Sequence, residues 1–457
     1  MSSIKLPRFL PVRQHFPDLR LPDVRAAGQQ ELIASDLAGR VPAGACIAVG
    51  VGSRGINNLA AIVGTVVDYW KSHGCRPFLF PAMGSHGGAT AEGQRDVMAR
   101  YGIDEQTMAC PVVSSMDVVS TGKTESGIPT FADMAAMESD GILLINRIKW
   151  HTSFLGPVES GLTKMAAIGL GKINGARHCH RHARSLGMEN VIQQVARHNI
   201  ATGKILGGVA ILEDANHNTA KIAAVRADCL IERETELLSL VHQWKAKIPM
   251  PLEILVLDEI GKNISGTGMD PKVVNRGVHG QYNPWPGIHR IQRILVRDLS
   301  ATTHGNAVGI GMADVVHDRA VAKIDTKVTW VNTATSGSLA AARLPMHYPS
   351  DRACLEILSQ TVESAPEDAT IGWIRNSLEL GEFAFSENLR AEIEANPALE
   401  IAGPPFDLDF DDSGNLITSP VPCSPGCNSR RPRCGEAPEL AGESKNCNPS
   451  GGQDSPR

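Results

Sequence analysis

The sequence predicts an α/β protein: two α/β domains with mostly parallel sheets and an active site in the cleft between them. Three observations carry this. Short aliphatic runs, such as residues 45–49 and 141–145, alternate with stretches of helical period. Each run opens into a polar, glycine-rich loop, the place where open α/β sheets put their chemistry. The stretch Ile248-Pro249-Met250-Pro251 reads as a hinge, and the same alternation starts again after it. The expected parts are an N-terminal domain over 1–247, a C-terminal domain over 252–416 and a disordered tail over 417–457.

Residues 1–40 are expected as an irregular arm and a helix near 22–39. Residues 45–49 make a buried strand that opens into Gly50-Val51-Gly52-Ser53-Arg54-Gly55, and 57–72 make a helix. Glycines at such a turn let a phosphate approach backbone N–H groups at a helix start, although a tight βα turn explains them equally well. Residues 76–81 form the next strand. It leads to Gly84-Ser85-His86-Gly87-Gly88, and Thr90 caps a helix running to about Arg100. A histidine among glycines at a strand's C-terminal end suits an imidazole that meets a substrate. Further strands are expected at 142–145, 207–212 and 253–257, and an amphipathic helix at 231–245. The second domain's first loop, 258–270, carries Lys262; 303–314 is expected as a turn into a helix, and 353–362 as a helix. The tail holds four cysteines, at 423, 427, 434 and 447, in an irregular spacing without an apolar scaffold.

Composition excludes several classes. With 42% hydrophobic, 20% charged and 4% aromatic residues, this is a globular chain with an aliphatic core. A formal charge of -5 argues against a nucleic-acid binder. No apolar run is long enough for a membrane span, and no secretory h-region opens the chain. Scattered cysteines at 46, 75, 110, 179, 229 and 354 fit reduced thiols, hence a cytoplasmic protein.

The richest stretch is 146–182, with four histidines, three lysines and five glycines after the 141–145 strand. If it is helical near its end, His178 and His182 share a face and His180 points away; if extended, all three share one. Lys149, Lys164 and Lys172 compete for a chemical role. Lys164 precedes Met165-Ala166-Ala167-Ile168-Gly169-Leu170, and apolar surroundings favour a neutral, nucleophilic amine.

Taken in order, Gly84-Ser85-His86, His151, Ser160-Gly161-x-x-Lys164, Ile168-Gly169, His180 and the run from His304-Gly305-Asn306 to Ala313-Asp314 resemble the nickel-dependent lactate racemase family over most of 40–416. The resemblance implies a nickel-pincer nucleotide, in which two sulfurs and a carbon hold one nickel ion. It implies that Lys164 tethers this cofactor, with Ser53, Arg54 and Gly169 also on the cofactor. It implies His180 as the protein's nickel ligand, at a separation 180 − 164 = 16. His86 and His151 would be the two acid/base residues, and Arg54 and Lys262 would hold the substrate carboxylate. The implied reaction is racemisation or epimerisation of a 2-hydroxy acid by oxidation at C2 and re-reduction from either face. Cofactor-maturation enzymes would be the partners. The spacing 164 − 151 = 13, the Gly-Ser-Arg-Gly turn and Gly87-Gly88 after His86 depart from the family pattern and point to a substrate other than lactate, a sugar acid included. Two further readings are a non-catalytic nickel- or nucleotide-binding protein and a lyase that uses Lys164 as an imine.

Overall fold

The computed structural model describes residues 4–52 and 55–421. Ser53, Arg54 and the cysteine-bearing part of the tail lie outside the described residues. Met1–Val421 form one compact unit that contains two large sheets.

The first sheet has five strands in the order β3-β2-β6-β7-β8, namely Arg76–Pro81, Cys46–Val51, Gly141–Arg147, Ile205–Glu213 and Thr219–Arg226. All neighbours are parallel except β7 and β8. These strands are aliphatic along nearly their whole length because helices cover both faces, as in Ile142, Leu143, Leu144 and Ile145, all fully buried. The chain winds outward from β2 in one direction and from β6 in the other. The carboxyl ends of β2 and β6 therefore frame a crevice. Strands Val118–Lys123 (β4) and Pro129–Asp133 (β5) form a separate hairpin.

The second sheet has eight strands in the order β12-β11-β10-β9-β13-β14-β1-β15. Its parallel part comprises Met346–Tyr348, Val315–His317, Ile291–Val296, Leu252–Leu257 and Ile371–Ile374. Glu382–Ser386, Phe9–Gln14 and Leu399–Ile401 extend it in antiparallel fashion. The expected irregular arm is thus a strand. Phe9, Leu10 and Val12 are buried in the second sheet's core, a pairing across more than 360 residues that no local pattern reveals. This sheet also switches direction, between β9 and β13, and the loop after β9 carries Lys262, Asp270 and Lys272.

Most expected helices form, as Val24–Ser35, Leu59–Ser72, Ala91–Ala99, Leu230–Trp244 and Asp351–Ser359. Thr90 does cap its helix, accepting from Gly93 N–H. The turn-into-helix expected at 303–314 is instead two short 3-10 turns, Ala301–Thr303 and Ile310–Met312, before β11. Its glycines explain the change. Gly309 holds φ at 98°, and a Cβ there would lie 1.7 Å from Thr267 O, so the segment is a tight packing loop.

Candidate active site

The loops after β6 and β9 meet. Trp150 packs into the second sheet's core, and its Nε1 donates to Asp270 at 2.9 Å. Glu159 is the joint: its carboxylate accepts from His151 N–H and from His242 Nε2 at 3.2 Å, and it pairs with Lys272 at 2.5 Å. Glu159 and Lys272 are each 1% exposed, so this ion pair is shielded and its geometry is fixed by three partners.

His151 follows a short extended segment in which Lys149 and Ser160 exchange backbone hydrogen bonds of 2.8 and 3.2 Å. Its ring stacks on Phe154 at 4.3 Å, and Ser153 N–H donates to Nδ1 at 3.1 Å. The neutral ring therefore carries its proton on Nε2 in this form. Accepting a proton at Nε2 requires the other tautomer, which costs the Ser153 bond. Burial, then the charges of Lys164, Lys149, Lys272 and His180, push His151 well below the usual histidine range.

Lys164 ends a short helix, Leu162–Lys164, that continues into a π-helical turn, Met165–Gly169. The start of this helix is held from outside. Glu234 accepts from Thr163 N–H at 2.7 Å and Thr163 Oγ1 at 2.9 Å. Burial pushes the Glu234 carboxyl up to about 7. The sequence carried a signal for Glu234: it interrupts the apolar stripe Leu230, Leu237, Leu238, Val241 on the core face of its helix. Loss of water around Lys164 brings its ammonium down to about 8, so a neutral amine is accessible near neutral pH.

The segment 172–186 is helical, which settles the face question. His178 packs on Phe131 at 5.2 Å and stacks with His182 at 6.5 Å. His180 lies on the other side, with its surface open to solvent. Partial loss of water around its ring and then the charge of Lys164 lower its pKa, while burial and then Arg181 and His182 lower that of His178. The structure thus brings Lys164, His180 and His151 within electrostatic reach of one another.

The His86 loop packs against the Lys164 helix. A Cβ on Gly84 would sit 3.4 Å from Ile168, and one on Gly169 would sit 2.5 Å from Ala82 O. Gly169 is buried, and its visible task is to let the π-helical turn approach the end of β3. Two residues hold this loop: Gln94, which sequence reasoning passed over, and Lys172, which it weighed only for a chemical role. Gln94, fully buried, donates to Gly84 O at 3.0 Å and His86 O at 3.3 Å. Lys172, also fully buried, donates to Pro81 O at 2.5 Å and Gln94 Oε1 at 3.4 Å, and pairs with Asp133 at 3.1 Å. Of the three lysines in the central segment, Lys172 is therefore a strut.

Lys262 is placed differently from the others. Its Nζ donates to Gly266 O at 2.5 Å and to Asn332 at 2.9 Å, within its own sheet's loops. Among the described residues no group of three or more His, Cys, Asp or Glu side chains is placed to hold a metal ion. A metal beside His180 needs donors brought by another molecule. One imidazole and one accessible amine on adjoining elements fit a group that supplies three donors of its own and a site for acylation.

No family model matches the chain, and no curated protein sequence matches it. Among solved structures it is similar to a lactate racemase apoprotein from Thermoanaerobacterium thermosaccharolyticum, at 13% identity over 81% of this chain and 98% of that one, with a TM-score of 0.48. At that identity and score the likeness assigns no chemistry to the crevice. No helix among the described residues is long and apolar enough to cross a membrane.

Proposed function

We propose that the chain is a racemase or epimerase of a 2-hydroxy acid that works with a nickel-pincer nucleotide attached through Lys164. What supports this is that Lys164 and His180 lie close enough to act on the charge of His151, and that the His86 loop packs on the π-helical turn that continues from Lys164. Lys164 supplies the amine, part-neutral because its surroundings remove water. His180, kept neutral, is the nickel ligand. When bound, the nickel-pincer nucleotide supplies a reversible two-electron acceptor at the substrate's C2.

The remaining work belongs to the protein. His86 and His151 each serve one face of C2, because the two configurations present their hydroxyls to opposite sides. His151 stays unprotonated at neutral pH and is ready to receive a proton once the Ser153 bond is released. Glu159 fixes its backbone and Glu234 fixes the start of the Lys164 helix, so tether and base keep their spacing. Arg54 and Lys262 are assigned to the substrate carboxylate or the cofactor's acidic groups; Lys262 must leave Gly266 and Asn332 to reach them. The spacing departures favour a 2-hydroxy acid other than lactate, with sugar-acid 2-epimerisation as the neighbouring activity.

The test is a chiral-chromatography screen of 2-hydroxy acids with protein produced alongside cofactor-maturation enzymes. His86→Ala and His151→Ala are expected to abolish isomerisation and keep nickel, while His180→Ala loses nickel. Wild-type protein that carries nickel and isomerises none of the acids refutes the reaction. The lowered amine of Lys164 also fits imine chemistry; borohydride trapping of a 2-oxo acid on Lys164 favours that lyase reading instead.

A further inference from the structure

The turn that follows Lys164 is one residue wider than an α-helix. In an α-helix the Leu170 N–H would bond to Ala166 O, four residues back. Here it donates to Met165 O at 2.8 Å, five residues back. Ala166 O thereby loses its ordinary partner in a fully buried segment, where an orphaned carbonyl is costly. Asn199 supplies the missing donor, its Nδ2 reaching Ala166 O at 2.8 Å.

Asn199 is 1% exposed and sits on the face of the helix Met188–Ala201 that otherwise buries Val191, Ile192, Val195 and Ala196. An amide on such a face is unfavourable unless both its ends are satisfied. Both are, because Thr121 Oγ1 donates to Asn199 Oδ1 at 2.8 Å. That bond also decides which end of the amide faces Ala166. The strand carrying Thr121 is fastened to the same helix by His198 Nε2, which donates to Thr121 O at 2.8 Å.

The wide turn sets the register between Lys164 and the chain after it. A return to α spacing rotates Lys164 by about 100° and slides it by about 1.5 Å relative to Gly169. Gly169 is packed too closely to absorb the change, since a Cβ there would lie 2.5 Å from Ala82 O. Lys164 makes no hydrogen bond or ion pair of its own among the described residues, so its backbone is what directs it.

We propose that Asn199 is a positioning residue for Lys164: by binding the Ala166 carbonyl it keeps the turn wide and so sets where the Lys164 amine points. This rests on the reading of Lys164 as the tether, for which the aim of the amine governs acylation.

The experiment labels the full chain, without cofactor, with trace acetic anhydride across a pH series. Peptide mapping compares Lys164 with the exposed Lys327. Asn199→Leu keeps the shape of the side chain and removes both bonds. In it Lys164 is expected to acylate about tenfold more slowly at pH 7, with half-maximal labelling moved up by about one pH unit, because an amine displaced from its water-poor site regains its proton. Thr121→Val unfastens the amide and is expected to slow Lys164 by about twofold or more. Ile205→Ala, a core truncation at the amino end of its strand, controls for lost stability: it should melt lower and label Lys164 at the wild-type rate. A wild-type labelling profile in folded Asn199→Leu overturns the proposal, and so does a slowing shared by Ile205→Ala. If Asn199→Leu does not fold, Thr121→Val decides on the same two readings. The readout needs no nickel. A chain that never acquires an adduct yet shows the slowing sinks the proposed reaction and leaves the positioning role standing. An adduct formed equally well on Lys164 in Asn199→Leu does the reverse.

Discussion

Replacing Lys172 by Met probes how the His86 loop is held. Lys172 is fully buried, and its ammonium contacts Asp133 at 3.1 Å, Pro81 O at 2.5 Å and Gln94 at 3.4 Å. Methionine has nearly the same length and no charge. It leaves Asp133, 1% exposed, as a buried carboxylate whose remaining partner is Ala136 N–H at the cap of the next helix. Orphaning a buried charge costs about 3–5 kcal/mol, whereas the desolvation already borne by the ammonium offsets part of the pair's attraction. Lys172→Met should therefore lose about 3 kcal/mol or more in urea unfolding. Lys172→Met/Asp133→Asn should recover at least about 1.5 kcal/mol of the summed single effects, because the residual charge is gone. Amide exchange over residues 81–94 should accelerate in the single variant, since Gln94 loses the anchor for its Oε1. A single-variant loss under about 1 kcal/mol, or strictly additive effects, would refute the strut.

Three other outcomes follow from the same geometry. Glu234 has a carboxyl raised to about 7, so the folded chain binds a proton that the unfolded chain releases nearer 4.5; its contribution is present below about 4.5 and is lost as pH rises through 7. Glu234→Gln should flatten the fall in stability between about pH 5 and 8 in thermal melts. Asp351 shows the opposite sign: Arg297 and the Leu416 N–H overcome burial and hold it at about 2, so its stabilisation exists above about 4 and fades as pH falls through 2, worth roughly 2 kcal/mol. Asp351→Asn should remove that acid-limb dependence in the same melts. Gly169→Ala puts a methyl 2.5 Å from Ala82 O and should cost about 1–3 kcal/mol, with displacement of the Lys164 turn visible by amide exchange.

What the sequence revealed is what local pattern can encode. Aliphatic runs and helical period located the parallel strands and most helices, because a strand buried on both faces must be apolar throughout. Lys164 drew notice because it precedes an unbroken apolar run, and the structure surrounds it accordingly. His180 separates from His178 once the segment is helical, a choice the residue types alone left open. The misses are non-local. Phe9–Gln14 needs a partner strand near residue 384 to become a strand at all. Glu159 and Lys272 are ordinary charged residues in loops 113 positions apart, and only the meeting of two sheets makes them a joint. Gln94 and Lys172 lie in segments whose polarity gave no hint of full burial.

The central claim is that Lys164 carries a nickel-bearing adduct. The direct measurement is intact mass, peptide mapping and metal content of the protein produced with cofactor-maturation enzymes, beside Lys164→Ala and His180→Ala. The account predicts an added mass located on Lys164, about one nickel per chain by the single-ligand stoichiometry, loss of both in Lys164→Ala, and loss of nickel alone in His180→Ala. An unmodified Lys164 in nickel-free protein contradicts it.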